Sequence, residues 1–466
     1  MAAMETPTIR QNMAGALAGL SLSLLLSSLG TSIANVALPT LADAFSAPFQ
    51  SVQWVVLAYL LASTVLVVGI GRLGDILGRR RLLLVGLALF TAASVSCGLA
   101  PSLPLLIVAR ALQGLGAAAM MALAMAFVSE TVPKERIGSV MGLFGTMSAV
   151  GTALGPSLGG LLIAGFGWRA IFFVAAPFGL AAFVLVYRFL PRDRGMANAA
   201  RFDVLGAVLL AVTLATYALS MTTGKGQFGR ESAILLVASA VGGVFFVLRQ
   251  YRAASPLIRP AALRRPGLRA GLAANVLVAT VMMATLVVGP FYLARTIGLG
   301  PAGVGFVMAI GPFVSMLSGV IAGRLVDRFG AAPMAVAGLA AMVAGAVGLW
   351  LLSALFGLAG YVAAIAVLTP GYQLFQAANN ASVMTGVAAD ERGVVSGLLN
   401  LSRNLGLITG ASLMGAVFAL AAGTKEMAGA SPAAVAAGMH ATFVVAAVLV
   451  LAALALAIPG LRHRAA

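Results

Sequence analysis

Two arginines lie inside long apolar stretches of the chain, Arg110 in LIVARALQGLG and Arg403 in LLNLSRNLGL. A cationic side chain within a membrane span costs about 2.5–3.5 kcal/mol on insertion scales, so it marks a functional site by default. Gln113, three residues after Arg110, shares its helix face. We expect Arg110, Gln113 and Arg403 to contact a ligand. The alternative is that both arginines extend toward the headgroups at the helix ends.

A polar patch, TPGYQLFQAANNAS, interrupts a later apolar segment. Gln373, Gln376 and Asn380 follow i, i+3, i+7 spacing and form one stripe on a helix, and Tyr372 precedes them. These side chains would be expensive facing lipid. We expect them to line a cavity, whereas hydrogen bonds between helices are the other interpretation. Two asparagines in other apolar segments are further candidates, namely Asn35 and Asn275.

Glycines four residues apart leave one face of the segment GTALGPSLGG without side chains. Gly151, Gly155 and Gly159 share that face, which permits close approach of a neighbouring helix. Pro156 bends the helix. Packing alone explains this pattern, and a direct part in ion coupling is the alternative.

The segment GRLGDILGRRR combines glycines with charges at the end of an apolar stretch. Gly71 and Gly78 allow a tight turn. The Asp75 carboxylate can interact with the positive end of a helix or with an arginine. Arg79 begins a basic run that suits an anionic membrane surface. We expect a latch that forms and breaks here; the alternative is that the arginines only fix the topology.

An internal repeat runs through the chain. GRLGDILG recurs as GRLVDRFG, in which Asp327 and Arg328 belong to a second latch. Four glycines between 142 and 160 match four between 397 and 415 at a constant spacing. Two helical halves with an extra pair of helices between them explain both observations, and repeated halves around a cavity are a common transporter design.

The composition requires lipid as the solvent for much of the chain. Hydrophobic residues make up 61% and charged residues 9%, against roughly 45–50% and 25% in soluble domains. Segments of roughly 20 apolar residues predict fourteen transmembrane helices in an all-α integral membrane fold. We expect an N-terminal six-helix half at 1–200, two inserted helices at 201–250, a basic linker at 251–269 and a C-terminal half at 270–466.

The distribution of basic residues predicts the orientation. Most of the 29 lysines and arginines fall in segments on the same side as the N-terminus, so both termini are expected in the cytoplasm. Trp54, Trp168 and Trp350 fall at the outer helix ends, where indole favours the headgroup region. We expect a multi-pass protein of the inner or plasma membrane.

Four motifs carry a family resemblance. GRLGDILGRRR resembles the signature loop of the major facilitator superfamily, LIVARALQGLG its fourth-helix motif and GTALGPSLGG its antiporter motif. TSIANVALP resembles the first-helix signature of the fourteen-helix drug:proton antiporter family. The resemblance implies two six-helix halves plus two inserted helices, with a central cavity lined by the first, fourth and twelfth helices.

One departure from that family concerns the proton. The first-helix motif normally begins with an aspartate, whose place is taken by Gly30, and none of the 12 acidic residues falls near the middle of a predicted span. A buried carboxylate is the usual carrier of protons and cationic drugs. Neutral or anionic hydrophobic substrates are therefore favoured over dications.

We expect a secondary active transporter that exports hydrophobic small molecules or drugs by alternating access, in exchange for protons. The alternative is a proton-independent or solute-specific transporter of organic anions or neutral metabolites. No nucleophile–base pair, phosphate loop or metal-ligand cluster is evident in the sequence, so we expect neither an enzyme nor a cofactor or metal. The expected partners are a small-molecule substrate, protons and the lipid bilayer, without nucleic acid, and the expected state is a monomer.

Overall fold

The computed structural model describes residues 7–131, 137–191, 193, 203–222, 229–253, 256–257, 265–384, 392–423 and 430–457. Within these ranges all regular structure is helical. The first ten helices are α1 (Pro7–Ala44), α2 (Phe49–Val52), α3 (Trp54–Leu77), α4 (Arg79–Leu99), α5 (Leu103–Thr131), α6 (Ile137–Phe166), α7 (Ala170–Phe173), α8 (Ala175–Phe189), α9 (Val204–Thr222) and α10 (Arg230–Arg252). The others are α11 (Pro266–Phe291), α12 (Pro301–Phe329), α13 (Ala331–Met384), α14 (Arg392–Thr409), α15 (Gly415–Ala422) and α16 (Pro432–Ala457).

Twelve helices in the described ranges are long and apolar enough to cross a membrane, two fewer than the predicted fourteen. Part of the difference lies in α9, which offers a shorter apolar stretch, Val204–Ser220. The rest lies in α13, whose 54 residues count as a single element. At 1.5 Å per residue α13 would measure about 81 Å if straight, far beyond a hydrocarbon core of about 30 Å.

Helix α13 is in fact two helices that fold back on each other. Gly357 has φ 54° and ψ −124°, which breaks the helix, and a glycine adopts this region without steric cost. Beyond the break the two parts run antiparallel, because Gly345 packs on Leu368 and Gly338 on Phe375.

Successive long helices alternate in direction. We call the end of the bundle at which α1 begins the proximal end, and the end at which α1 finishes the distal end. Contacts such as that between Gly15 and Phe189 join the start of α1 to the finish of α8 at the proximal end. We use "N-terminal half" for α1–α8 and "C-terminal half" for α11–α16.

The sequence repeat corresponds to repeated geometry. Gly78 links α3 to α4 with φ 91°, and Gly330 links α12 to α13 with φ 87°. Both positions need a backbone conformation that side chains disfavour, which explains why glycine closes each copy of the motif.

The glycine faces of the two halves also match. A β-carbon at Gly151 would lie 2.3 Å from the Leu25 carbonyl oxygen on α1, and one at Gly406 would lie 2.4 Å from the Val276 carbonyl oxygen on α11. Small residues therefore let α6 and α14 approach the first helix of their own half at backbone distance.

Helices α9 and α10 form an antiparallel pair beside the two halves. Asp203 accepts hydrogen bonds from the Gly206 amide at 3.1 Å and from Arg249 Nε at 3.1 Å, so it caps α9 and ties it to α10. Tyr217 on α9 reaches the C-terminal half, where its hydroxyl lies 3.3 Å from Thr409 Oγ1. Helix α9 also packs against α3 of the N-terminal half.

Candidate functional site

A cavity of about 750 Å³ lies between the two halves. Its described lining residues are Thr146, Ser148, Ala149 and Thr152 on α6; Pro312, Ser315, Met316, Gly319 and Val320 on α12; and Asn275, Tyr372, Gln373, Gln376, Asn380, Met384, Leu399, Asn400 and Arg403 on α11, α13 and α14. All of them lie in the central or proximal parts of their helices. The cavity therefore belongs to the proximal side of the bundle.

Five residues predicted to contact a substrate meet in this cavity: Tyr372, Gln373, Gln376, Asn380 and Arg403. The amides of the two glutamines are oriented by neighbouring hydroxyls. Gln373 donates to the Ser315 hydroxyl, and Gln376 Nε2 donates to the Tyr372 hydroxyl at 2.9 Å. The C-terminal half thus presents a preorganised polar wall.

Arg110 does not line this cavity. Its side chain is fully buried within the N-terminal half. Nε donates to the Val55 carbonyl at 2.8 Å, Nη2 to the Gly30 carbonyl at 3.1 Å and Nη1 to Gln113 Oε1 at 2.5 Å. The guanidinium fork therefore joins α1, α3 and α5, and these acceptors offset the cost of burying the charge.

The Arg110 cluster continues through Gln113, which is also buried and absent from the cavity wall. Gln113 Nε2 donates to Ser94 Oγ at 2.7 Å on α4. On the other side, the Tyr59 ring lies under the guanidinium carbon of Arg110, with 4.3 Å between that carbon and the ring centroid. The cluster therefore cross-links four helices of the N-terminal half.

Asn35 is likewise buried away from the cavity. Its Nδ2 donates to the Thr31 carbonyl at 3.1 Å and to the Ser32 carbonyl at 3.3 Å, both on its own helix. Gly30, at the position where an aspartate was expected, lies beside the Arg110 cluster, and a β-carbon there would lie 3.1 Å from the Tyr59 hydroxyl.

The glycine motif of α6 packs against α1. A β-carbon at Gly155 would lie 1.9 Å from Ser32 Oγ, and one at Gly159 would lie 2.8 Å from Val36 Cγ1. Pro156 lies inside α6, which continues without interruption to Phe166. The packing interpretation of the motif therefore has a direct geometric basis.

The next glycine of this motif touches the other half. A β-carbon at Gly160 would lie 2.5 Å from the Pro301 carbonyl oxygen and 2.9 Å from Gly305 Cα. In the repeat-related contact, Gly415 packs on Gln53, whose Nε2 donates to the Ala411 carbonyl at 2.9 Å. These two seams join the halves on the distal side of the cavity.

Aromatic and charged contacts complete the distal closure. The Phe49 ring centroid lies 4.9 Å from that of Phe291 and 5.2 Å from that of Phe418, which joins α2 to two helices of the C-terminal half. Arg295 pairs with Asp43 between the halves, and both side chains are partly exposed. The distal end is therefore closed by packing, a hydrogen bond and an ion pair.

The predicted latch residues lie at the proximal end. The Asp75 side chain and the surroundings of Gly71 fall outside the described set, and Arg79 begins α4. Asp193 caps that helix, because its Oδ1 accepts from the Arg80 amide at 2.8 Å and its Oδ2 from the Arg81 amide at 3.2 Å. Asp327 and Arg328 are exposed and form no ion pair with each other.

The hydroxyls on α6 and α12 were missed by sequence reasoning. Ser148, Thr152 and Ser315 line the cavity, but Ser and Thr satisfy themselves against the preceding helical turn and therefore occur on any face of a membrane helix. Thr152 does so, since its hydroxyl donates to the Ser148 carbonyl at 3.0 Å. The repeat, which pairs α6 with α14, is the sequence signal that could have indicated this wall.

Comparison with known proteins identifies the family. Residues 20–411 match the sequence profile of the Major Facilitator Superfamily. The chain is 32% identical over 401 residues to the uncharacterized transporter YebQ of Escherichia coli K12, covering 86% of this chain and 88% of that protein. It is 30% identical over 394 residues to the riboflavin transporter RibZ of Clostridioides difficile, covering 84% and 86% respectively.

A further relative is the multidrug resistance protein Stp of Mycobacterium tuberculosis, 31% identical over 392 residues that cover 83% of this chain and 72% of that protein. A solved bacterial homologue of the human lysosomal transporter Spinster, in an inward-facing and occupied conformation, has a TM-score of 0.67 at 16% identity, covering 97% of both chains. The cavity between repeated halves, the motifs and these similarities agree, and the chain belongs to the major facilitator superfamily.

Proposed function

We propose that the protein is a secondary active exporter of hydrophobic small molecules, working by alternating access in exchange for protons. The observation that carries this proposal is the cavity of about 750 Å³, which lies toward the proximal side while the distal side is closed. Such a volume falls within the usual range for small-molecule sites, about 300–1,000 Å³. Exposure of one site to alternate sides of a membrane is what transport requires.

The relatives support a small organic substrate. One is described as a multidrug resistance protein and another as a riboflavin transporter. Sites for small organic molecules are mostly apolar, with a few polar groups that orient the ligand. The cavity here combines amides and hydroxyls with Met316, Val320 and Met384, and methionine adapts to varied ligand shapes.

The proposed architecture has two moving units, 1–200 and 270–466, with inserted helices at 201–250 and a linker at 251–269. Because α13 folds back at Gly357 and α9 is apolar over most of its length, we propose fourteen membrane crossings. The arginine distribution favours cytoplasmic termini in a plasma or inner membrane. The proximal end would then face the cytoplasm.

The residues proposed to contact substrate are those on the cavity wall, Tyr372, Gln373, Gln376, Asn380 and Arg403. Arg110 and Gln113 are proposed to act indirectly, because they fix the helices of the N-terminal half relative to one another. Asn35 is proposed to act through the shape of α1, because its amide donates to carbonyls of that helix.

We propose that Gly71, Asp75, Gly78, Arg79, Asp327 and Arg328 form proximal contacts when the cavity opens distally. The packing of Gly151, Gly155, Pro156 and Gly159 against α1 would keep protons from leaking through the N-terminal half.

Proton exchange is tested in proteoliposomes that contain the full chain and an imposed pH gradient. Lipophilic cations, neutral compounds and organic anions are added in turn, and the gradient is followed with an internal pH dye. We expect at least one compound class to dissipate the gradient. Uptake of a labelled compound that is insensitive to the pH gradient would instead support the proton-independent alternative, and no movement of any compound would contradict a transport function.

A further inference from the structure

Arg403 gives the cavity its charge. Of the described residues that line the cavity, Arg403 alone carries a full charge at neutral pH, and its side chain is exposed there. No described side chain forms an ion pair or a hydrogen bond with Arg403. A cleft with one sign of charge and low-dielectric walls focuses the field and concentrates ions of the opposite sign.

Asn275 adds a hydrogen-bond acceptor whose orientation is fixed. Its Nδ2 donates to the Leu399 carbonyl at 3.0 Å and to Ser402 Oγ at 2.8 Å. The Ser402 hydroxyl in turn donates to the Leu399 carbonyl at 2.8 Å. Rotating the amide would set oxygen against a carbonyl oxygen, so the orientation follows from the hydrogen bonds.

The other end of this amide lacks a partner. Asn275 Oδ1 is buried without a hydrogen bond, although the residue lines the cavity and is only 2% exposed. Leaving such an acceptor unsatisfied is costly, which favours a ligand that donates to it. Asn400 Oδ1 is also unsatisfied and lies one helical turn before Arg403 on the same wall.

The rest of the cavity wall sets the shape of the ligand. Pro312, Met316 and Val320 on α12 line the cavity beside the hydroxyls of the neighbouring helix α6. A ligand that reaches from Arg403 to this surface presents an apolar body to it. Its polar groups are then concentrated at the end nearest α11 and α14.

We propose that the substrate is an amphipathic organic anion that carries an N–H or O–H donor close to its anionic group. Arg403 holds the anion, and Asn275 Oδ1 accepts the hydrogen bond from the donor. This inference rests on the proposed transport function and narrows its substrate class. It makes Arg403 and Asn275 the residues that determine specificity, and it disfavours permanent cations.

Four fluorescent dansyl compounds test the anionic group and the hydrogen-bond donor separately. Dansylglycine has a carboxylate next to a sulfonamide N–H, and dansylsarcosine has the same carboxylate but an N-methyl group in place of the N–H. Dansylglycinamide keeps the N–H without the charge, and dansylcadaverine is a cation. Binding is measured by fluorescence titration of the full chain in lipid nanodiscs.

We expect dansylglycine to bind at least about tenfold more tightly than dansylglycinamide or dansylcadaverine, because one charge-assisted hydrogen bond contributes that much. Dansylsarcosine is expected to bind about threefold to tenfold more weakly than dansylglycine. Arg403→Gln should remove the preference for the anion, whereas the control Arg324→Gln, which deletes an exposed charge outside the cavity, should leave it unchanged.

The comparison between dansylglycine and dansylsarcosine needs no variant, so it stands even if a substitution at Asn275 prevents folding. Absence of dansylglycine binding, an equal affinity for the cation, or an anion preference that survives Arg403→Gln would each overturn the inference. Transport of neutral compounds or cations in proteoliposomes would at the same time leave the proposed function intact. Binding of dansylglycine that depends on Arg403 without any transport would overturn the export function alone.

Discussion

Two arginines within membrane helices have opposite environments. Arg110, in the N-terminal half, is fully buried and donates to acceptors on three helices. Arg403, in the C-terminal half, faces a cavity of about 750 Å³ without a described partner. An arginine inside an apolar segment therefore cross-links helices in one half, whereas in the other half it presents its guanidinium to the cavity.

A charge in a span is therefore available to a ligand only where its neighbours leave it unsatisfied. Burial of a cation is tolerated where preorganised acceptors surround it. An exposed guanidinium keeps its donors for a ligand. In the N-terminal half the Arg110 cluster therefore stabilises the packing of the helices, whereas in the C-terminal half Arg403 lines the cavity.

The most severe test of this contrast is Arg110→Lys. A lysine ammonium cannot reach the acceptors on α1, α3 and α5 together, because it lacks the planar fork of the guanidinium. We expect a loss of about 2–4 kcal/mol in the free energy of unfolding. Thermal unfolding in detergent checks this, and a melting temperature equal to that of the wild type would show that the cluster is not a cross-link.

Gln113→Leu is the next test of the buried cluster. It leaves Arg110 Nη1 and Ser94 Oγ without the hydrogen bonds that Gln113 supplies. We expect a loss of about 1–3 kcal/mol. Gln376→Leu, on the cavity wall, is the matched control, and an equal loss in both variants would remove the distinction between the halves.

A third test asks whether the two halves separate as units. Gly160→Ala places a β-carbon 2.5 Å from the Pro301 carbonyl oxygen, whereas Gly165→Ala on the same helix meets nothing within 4 Å. We expect the first substitution to disfavour the distally closed state by about 1–3 kcal/mol, as overpacking does. The second substitution should leave that state unchanged.

The closed state is followed by the distance between spin labels at Ser46 and Gly300, with the buried Cys97 replaced by alanine. The fraction of long distances should rise for Gly160→Ala alone. An identical distribution in both glycine variants would mean that the seam is not what holds the distal end closed.

The smallest expected effect belongs to Arg403→Lys. Because the side chain is exposed in the cavity and has no described partner, the stability should change by no more than about 0.5 kcal/mol. The charge is retained, so the preference for dansylglycine over dansylglycinamide should also remain. If the melting temperature fell as much as in Arg110→Lys, both arginines would contribute equally to the stability of the fold.

Sequence reasoning predicted the features that depend on local spacing. The stripe of Gln373, Gln376 and Asn380 does line the cavity, and Gly78 does close its helix with a positive φ. Both follow from periodicity or from backbone sterics within a few residues. The family assignment rests on similarly local motifs.

Features that depend on distant segments could not be predicted. The acceptors of Arg110 come from Val55 and Gly30, far away in the chain, so burial could not be distinguished from exposure in the sequence. The count of twelve spans differs from fourteen because α9 offers only a short apolar stretch and because α13 counts as one element across its break at Gly357. Helix capping by Asp193 depends on the same long-range assembly.

The inserted helices face a mechanical constraint if the halves rock. Helix α9 packs on α3 and also reaches α14, so it cannot follow both halves when they rotate apart. Either α9 moves with one half as a rigid unit, or it slides against both halves as they rotate. The hydrogen bond between Tyr217 and Thr409, at 3.3 Å, is a polar contact that sliding of α9 against the C-terminal half would break in each cycle.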